Sequence, residues 1–98
     1  MTLGQKIKLQ LIIDTYGTAA QTDIAIEECS ELIKALVKGR RNAKKGIDKE
    51  LKDAIIDEIA DVEIMLNQLI IIHSCRKEVE ERIDFKIDRQ IERLKNYE

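Results

Sequence analysis

Five carboxylates in this chain stand at spacings suited to metal chemistry. Glu27, Glu28 and Glu31 fall within one helical turn, and Glu58 and Asp61 repeat the i, i+3 spacing of Glu28 and Glu31. On a helix that spacing puts both carboxylates on one face. At about 100° per residue, Leu51, Ile55, Val62, Met65 and Leu69 fall within roughly 80° of arc. Glu58 projects into the middle of that arc, and Asp61 lies on its edge beside Ala54 and Ile72. A carboxylate among buried aliphatics costs several kcal/mol unless it is protonated, paired or bound to a metal. Asp57 and Glu63 point away from the stripe and read as solvating groups.

Glu28 lies between Leu32 and Ala35 at the margin of the apolar side of the preceding helix. If the two helices pack antiparallel, Glu28, Glu31, Glu58 and Asp61 converge. Such a cluster cannot stay fully ionised at low dielectric without cations. Ligands that are all carboxylates suit Mg²⁺ or Mn²⁺ better than zinc. Nineteen acids in 98 residues make Glu27-Glu28-x-x-Glu31 alone an ordinary charged face. The second pair, on an apolar stripe, is what distinguishes a site. A di-iron carboxylate centre needs Glu-x-x-His pairs. The single histidine, His73, has Ile70 three residues before it, so that centre is excluded.

The elements that must carry these acids are legible from capping residues and glycines. There is no proline, and the glycines stand at 4, 17, 39 and 46. Thr2-x-x-Gln5 forms a capping box opening a first helix, with Leu3, Ile7 and Leu11 at helical spacing as far as Asp14. Tyr16-Gly17 interrupts it. Thr18-x-x-Gln21 reads as a second capping box, opening a helix to about Lys38 that Gly39 stops. Residues 39–46 read as a solvated, mobile loop. A third helix runs from about Asp48, its N-cap, to about His73. Past the Ser74-Cys75-Arg76 boundary, a fourth spans about Lys77 to Asn96, with Val79, Ile83, Ile87, Ile91 and Leu94 on one stripe. The i, i+3, i+4 period holds throughout and no sustained alternation occurs. The expected fold is all-α, a single-domain bundle of four helices over residues 1–98.

Composition narrows the function. Seventeen Lys and Arg balance the acids to a formal charge of −2, and aromatics are 3% of the chain. Neither a duplex-DNA binder held by bulk charge nor a single-strand stacking platform is expected. No apolar run approaches a membrane span, and the N-terminus has no apolar leader-like stretch, so a cytoplasmic protein is expected. Cys29 and Cys75 form no CxxC and read as buried reduced thiols. A chain this short buries only about two-thirds of its unfolded surface, which favours self-association.

Cations follow a pattern of their own. Arg82, Lys86, Arg89 and Arg93 form one stripe on the fourth helix, either clamping phosphate or facing solvent in i, i+4 pairs. Lys34 stands three residues beyond Glu31, as an ion-pair partner or a phosphate contact. Arg40, Arg41, Lys44 and Lys45 belong to the loop, solvated or closing over an anion.

Glu27-Glu28-Cys-Ser-Glu31 followed, after a gap, by Glu58-Ile-Ala-Asp61 resembles the EExxE…ExxD signature of the MazG-like all-α nucleoside triphosphate pyrophosphohydrolases. Tyr16-Gly17-x-x-x-Gln21, Glu31-Leu-Ile-Lys34-Ala-Leu and Lys86-x-x-Arg89 extend the resemblance to small phage-type members over nearly the whole chain. Many relatives carry Trp where this chain has Tyr16. The resemblance implies hydrolysis of a nucleoside triphosphate to monophosphate and pyrophosphate with Mg²⁺, Mn²⁺ substituting. Glu28, Glu31, Glu58 and Asp61 are then metal ligands, and Glu27 a further ligand or the group that orients the attacking water. Lys86 and Arg89, with Lys34, contact phosphate. The family further implies a homodimer or homotetramer with sites built partly by neighbours. Two rival readings keep the fold without turnover: a structural helical oligomer whose acids pair with Lys34, Arg89 and Arg93, and a nucleotide sensor.

Overall fold

A computed structural model describes residues 1–97, and among them every regular element is helical. Helix α1 spans Leu3–Tyr16, α2 Thr18–Arg41, α3 Lys49–Ile72 and α4 Arg76–Tyr97, with one turn of 3₁₀-helix at Ala43–Lys45. No helix is long and apolar enough to cross a membrane.

Local chemistry accounts for each boundary. Thr2 Oγ1 accepts from the Gln5 N–H at 3.1 Å while Gln5 Oε1 accepts from the Thr2 N–H at 2.9 Å, closing the expected capping box. The second box does not form. Gly17 takes the cap position of α2 at φ 93°, ψ 156°, a region essentially reserved for glycine, and makes no side-chain bond. Thr18 is already helical, and Gln21 turns inward and is buried instead of reaching back to a cap.

Gly39 does not stop α2. The helix continues to Arg41, and Gly39 is one of its buried positions, where an added Cβ would meet Ile55 Cδ1 at 3.4 Å. It faces α3 at ordinary van der Waals distance, and the connecting segment, which contains the 3₁₀ turn, is shorter than the glycines suggest. Lys38, Arg40 and Arg41 in the last turn complement the helix dipole. Asp48 caps α3 through Oδ1, which accepts from the Leu51 N–H at 2.8 Å. Ser74, at φ 49°, makes the turn into α4 without a glycine.

The centre of the fold is the α2–α3 hairpin. Ala35 and Lys38 share a groove with Leu51 and Ala54, Glu28 faces Glu58 and Asp61, and Ala25 shares a groove with Leu69. That order makes the helices antiparallel. Helix α1 packs on both. The buried apolar side chains among the described residues are few: Leu9 and Ile13 from α1, Ala25 from α2, Leu51 and Met65 from α3. Leu3, Ile7 and Leu11 are exposed, because α1 is apolar on two sides and buries the other one. Helix α4 contacts only α3, and all of its apolar stripe beyond the half-buried Val79 is open. The radius of gyration is accordingly 16.8 Å, against about 12.6 Å for a compact domain of this length.

Candidate metal centre

The carboxylates meet because both helices turn acids toward their shared seam. On α2 the inward positions Gln21, Ala25, Leu32, Ala35 and Gly39 are buried or half-buried, and Glu28 lies in line with them. On α3 the half-buried Ile55, Glu58 and Val62 follow the buried Leu51. Packing the two stripes together therefore brings Glu28 against Glu58. Asp61, one turn on from Glu58, reaches the same point from the exposed flank of α3. One oxygen from each of Glu28, Glu58 and Asp61 lies within 4.8 Å of the other two.

Electrostatics at this point are strained. Burial pushes the Glu28 carboxyl above its ordinary value, helped by a hydrogen bond to Asp61 and by the charges of Asp61, Glu58 and Glu27. Burial likewise raises Glu58, followed by the charges of Asp61, Glu31 and Asp57. Glu58 Oε2 is buried and has no hydrogen-bond partner. Among the described residues no cation lies within ion-pair distance of Glu28, Glu58 or Asp61. Three carboxylates drawn together, one of them with a buried, unpaired oxygen, are a donor set that a hard divalent cation completes. The residues present fit such an ion.

The other expected site residues stand apart from this group. Glu31 is half-buried and influences Glu58, but its nearest cation is Lys34, whose Nζ lies 3.2 Å from Glu31 Oε1. Glu27 is exposed and acts on Glu28 through its charge. Lys86 and Arg89 are exposed on α4, and the Arg89 guanidinium sits 5.8 Å above the Phe85 ring. Asp57 is exposed, yet its charge contributes to the titration of Glu58, a role beyond solvation. The cysteines depart from expectation: Cys29 is exposed and Cys75 half-buried, because Cys29 falls on the flank of α2 that nothing covers.

Two polar residues lie in the core where the sequence reading does not put them: Gln21 reads as a capping residue of α2, and Gln68 has no role there. Gln21 and Gln68 are almost wholly buried, and Gln68 Oε1 has no partner. Each lies seven residues from a site acid on its own helix, Gln21 from Glu28 and Gln68 from Asp61. The signal that exposed Glu58, a polar residue on an apolar arc, marks them as well.

Comparison of the chain with family models, curated proteins and solved structures gave no match.

Proposed function

We propose that this protein is a divalent-metal-dependent hydrolase of phosphoanhydrides whose metal is held by Glu28, Glu58 and Asp61. More particularly, it is a MazG-like nucleoside triphosphate pyrophosphohydrolase that converts a nucleotide triphosphate and water to monophosphate and pyrophosphate. The observation that carries this reading is the buried, unpartnered Glu58 oxygen beside two other carboxylates. The spacing of Glu27, Glu28 and Glu31 with Glu58 and Asp61 supports it independently.

Mg²⁺ is the expected ion, with Mn²⁺ as a substitute. When bound, such an ion polarises phosphate oxygens and lowers the pKa of its water. The chain's own residues supply the rest. Glu28 and Glu58, held above their ordinary pKa by burial, lose protons when a cation replaces them. Glu31, half-buried one turn from Glu28, is the fourth ligand or a ligand's hydrogen-bond partner. Glu27, on the open flank, orients and deprotonates the attacking water. Lys34, whose side chain is largely exposed beside Glu31, balances the triphosphate's charge. No protein nucleophile takes part, since no histidine stands near Cys29 or Ser30 in the helix. The working unit is a homodimer or homotetramer that completes the helical bundle.

Absence of ion pairs, among the described residues, at the three central acids disfavours a structural role for them in a salt-bridge network. The test is a panel of nucleoside triphosphates with Mg²⁺ or with EDTA, resolving pyrophosphate from orthophosphate. Metal-dependent pyrophosphate release is expected. Orthophosphate with a nucleoside diphosphate would place the protein in another reaction class, and no turnover on any substrate would reject the proposal.

A further inference from the structure

A protein of 11.3 kDa folded into a compact monomer exposes about 5,700 Å². This chain exposes 8028 Å². The excess, roughly 2,300 Å² per protomer, exceeds the ~800 Å² that each partner gives to a standard interface. Two of the open apolar surfaces that contribute to it are of complementary shape.

The first is a groove along the uncovered flank of the α2–α3 hairpin. It is continuous: a stretch lined by Ile33, Leu36, Val37 and Arg41 shares Ile33 with one lined by Ala25, Ile26 and Cys29. That stretch shares Leu69 with a third, about 430 Å³, between Leu66 and Ile70 of α3 and Val79 and Ile83 of α4. The second surface is a ridge. Beyond Val79, Ile83, Ile87, Ile91 and Leu94 are each at least half exposed on one side of α4, while the helix is otherwise charged and polar. A helix of this kind owes its stability to packing of its apolar side more than to propensity. Helix α4 has 22 residues, about 33 Å, and the groove follows α2 from Thr22 to Arg41, about 30 Å. The ridge itself, Ile83 to Leu94, is about 17 Å long, so it fits within the groove and matches it in apolar character.

We infer that a second copy of this chain covers both: α4 of each protomer lies in the α2–α3 groove of the other. The exchange is isologous, with one twofold axis relating two identical ridge-in-groove contacts. It rests on the self-association proposed above and names the surfaces that carry it. On α2 the groove residues lie across the buried stripe from Glu27, Glu31 and Lys34, so docking leaves the acidic side open.

Complementation tests this arrangement. Ile33→Glu spoils only the groove, Ile87→Glu only the ridge, and both positions are exposed in the protomer. Sedimentation should show a dimer or its multiple for wild type, and each variant alone should fall to 11 kDa. Mixed, the two variants form a pair in which one contact is doubly damaged and the other intact. The mixture should therefore sediment heavier than either variant alone. Should a variant lose helicity alone, recovery of the circular dichroism on mixing reports the same event. Ile7→Glu, on the open side of α1, should leave the mass unchanged. If only Ile87→Glu dissociates, α4 pairs with α4; if only Ile33→Glu does, hairpin meets hairpin; either result overturns the exchange. Dissociation of both without complementation does so too. A monomeric wild type would overturn the exchange and the self-association together. None of these readings requires turnover, so they stand apart from the fate of the pyrophosphohydrolase proposal.

Discussion

Glu28 on α2 and Asp61 on α3 come within hydrogen-bonding reach across the hairpin seam, joined by Glu58 within the same 4.8 Å group. Two carboxyl groups can share a hydrogen bond only while one keeps its proton. Crowding of the three carboxyl groups therefore favours protonation in the metal-free fold, and a divalent cation would compete with that proton. The burial that packs α2 on α3 is the same burial that makes the acids receptive to a cation.

The raised pKa values of Glu28 and Glu58 have a consequence for stability against pH. In the unfolded chain Glu28 and Glu58 ionise near 4.5; in the fold both hold their protons to higher pH. Their contribution to stability is fully present below the unfolded value and is lost as pH rises through the raised folded values. In EDTA, wild type should lose stability relative to Glu28→Gln as pH climbs from about 4.5 toward neutrality. Thermal melts across that range measure the difference. A gap that stays constant or reverses would show that Glu28 is not strained.

The glycines make opposite predictions. Gly17, at φ 93°, ψ 156°, occupies backbone space closed to other residues, so Gly17→Ala should cost about 1–3 kcal/mol. Gly39 is helical, and a new methyl meets only the ends of the Ile55 and Ile47 side chains, at 3.4 and 4.0 Å. Gly39→Ala should be neutral or stabilise by up to about 1 kcal/mol through helix propensity. Urea unfolding of both variants decides; a costly Gly39→Ala would mean that α2 and α3 are packed too tightly for a methyl.

Much of this was legible in the residues, for identifiable reasons. Capping chemistry is local, so Thr2 and Asp48 announced their helices from a few neighbours. The inward pointing of Glu58 was legible because α3 has a well-defined apolar arc. Gly39 was misread because a glycine that ends a helix and one that admits a neighbouring helix look alike until the neighbour is placed. The same holds for Gln21, whose capping partner Thr18 lost the cap to Gly17. On α1, apolar residues on two sides left the buried one undetermined, and tertiary packing chose Leu9 and Ile13. The uncovered flank of α2 turned Cys29 outward for the same reason: which flank is covered depends on the partner helix, not on the local sequence.

Lys34 offers a separation of binding from stability. Its pair with Glu31 is largely exposed, 71% for Lys34, so Lys34→Ala should change stability by no more than about 0.5 kcal/mol. If Lys34 serves the triphosphate, KM should rise several-fold at nearly unchanged Tm. Steady-state kinetics beside a melt would settle it: an unchanged KM would leave Lys34 as a partner of Glu31 alone.

Glu58→Gln tests the centre itself. Glutamine keeps the shape of the side chain and removes the charge from beside Asp61, Glu31 and Asp57. Turnover should fall by at least about 10²-fold, since a lost ligand disturbs both the ion's placement and the water it activates. Without metal the variant should nonetheless be more stable than wild type at neutral pH, because a carboxylate with an unpartnered buried oxygen no longer has to ionise there. Mg²⁺ should then raise the Tm of wild type more than that of the variant, since only a ligand that binds the folded state stabilises it. A carboxylate that merely faced solvent would show neither change, and one locked in a salt bridge would show destabilisation on substitution. Melts of both proteins in EDTA and in excess Mg²⁺ separate the three cases. If the metal-free variant melts below wild type, Glu58 belongs to an ion pair and the assignment of a metal to this group fails.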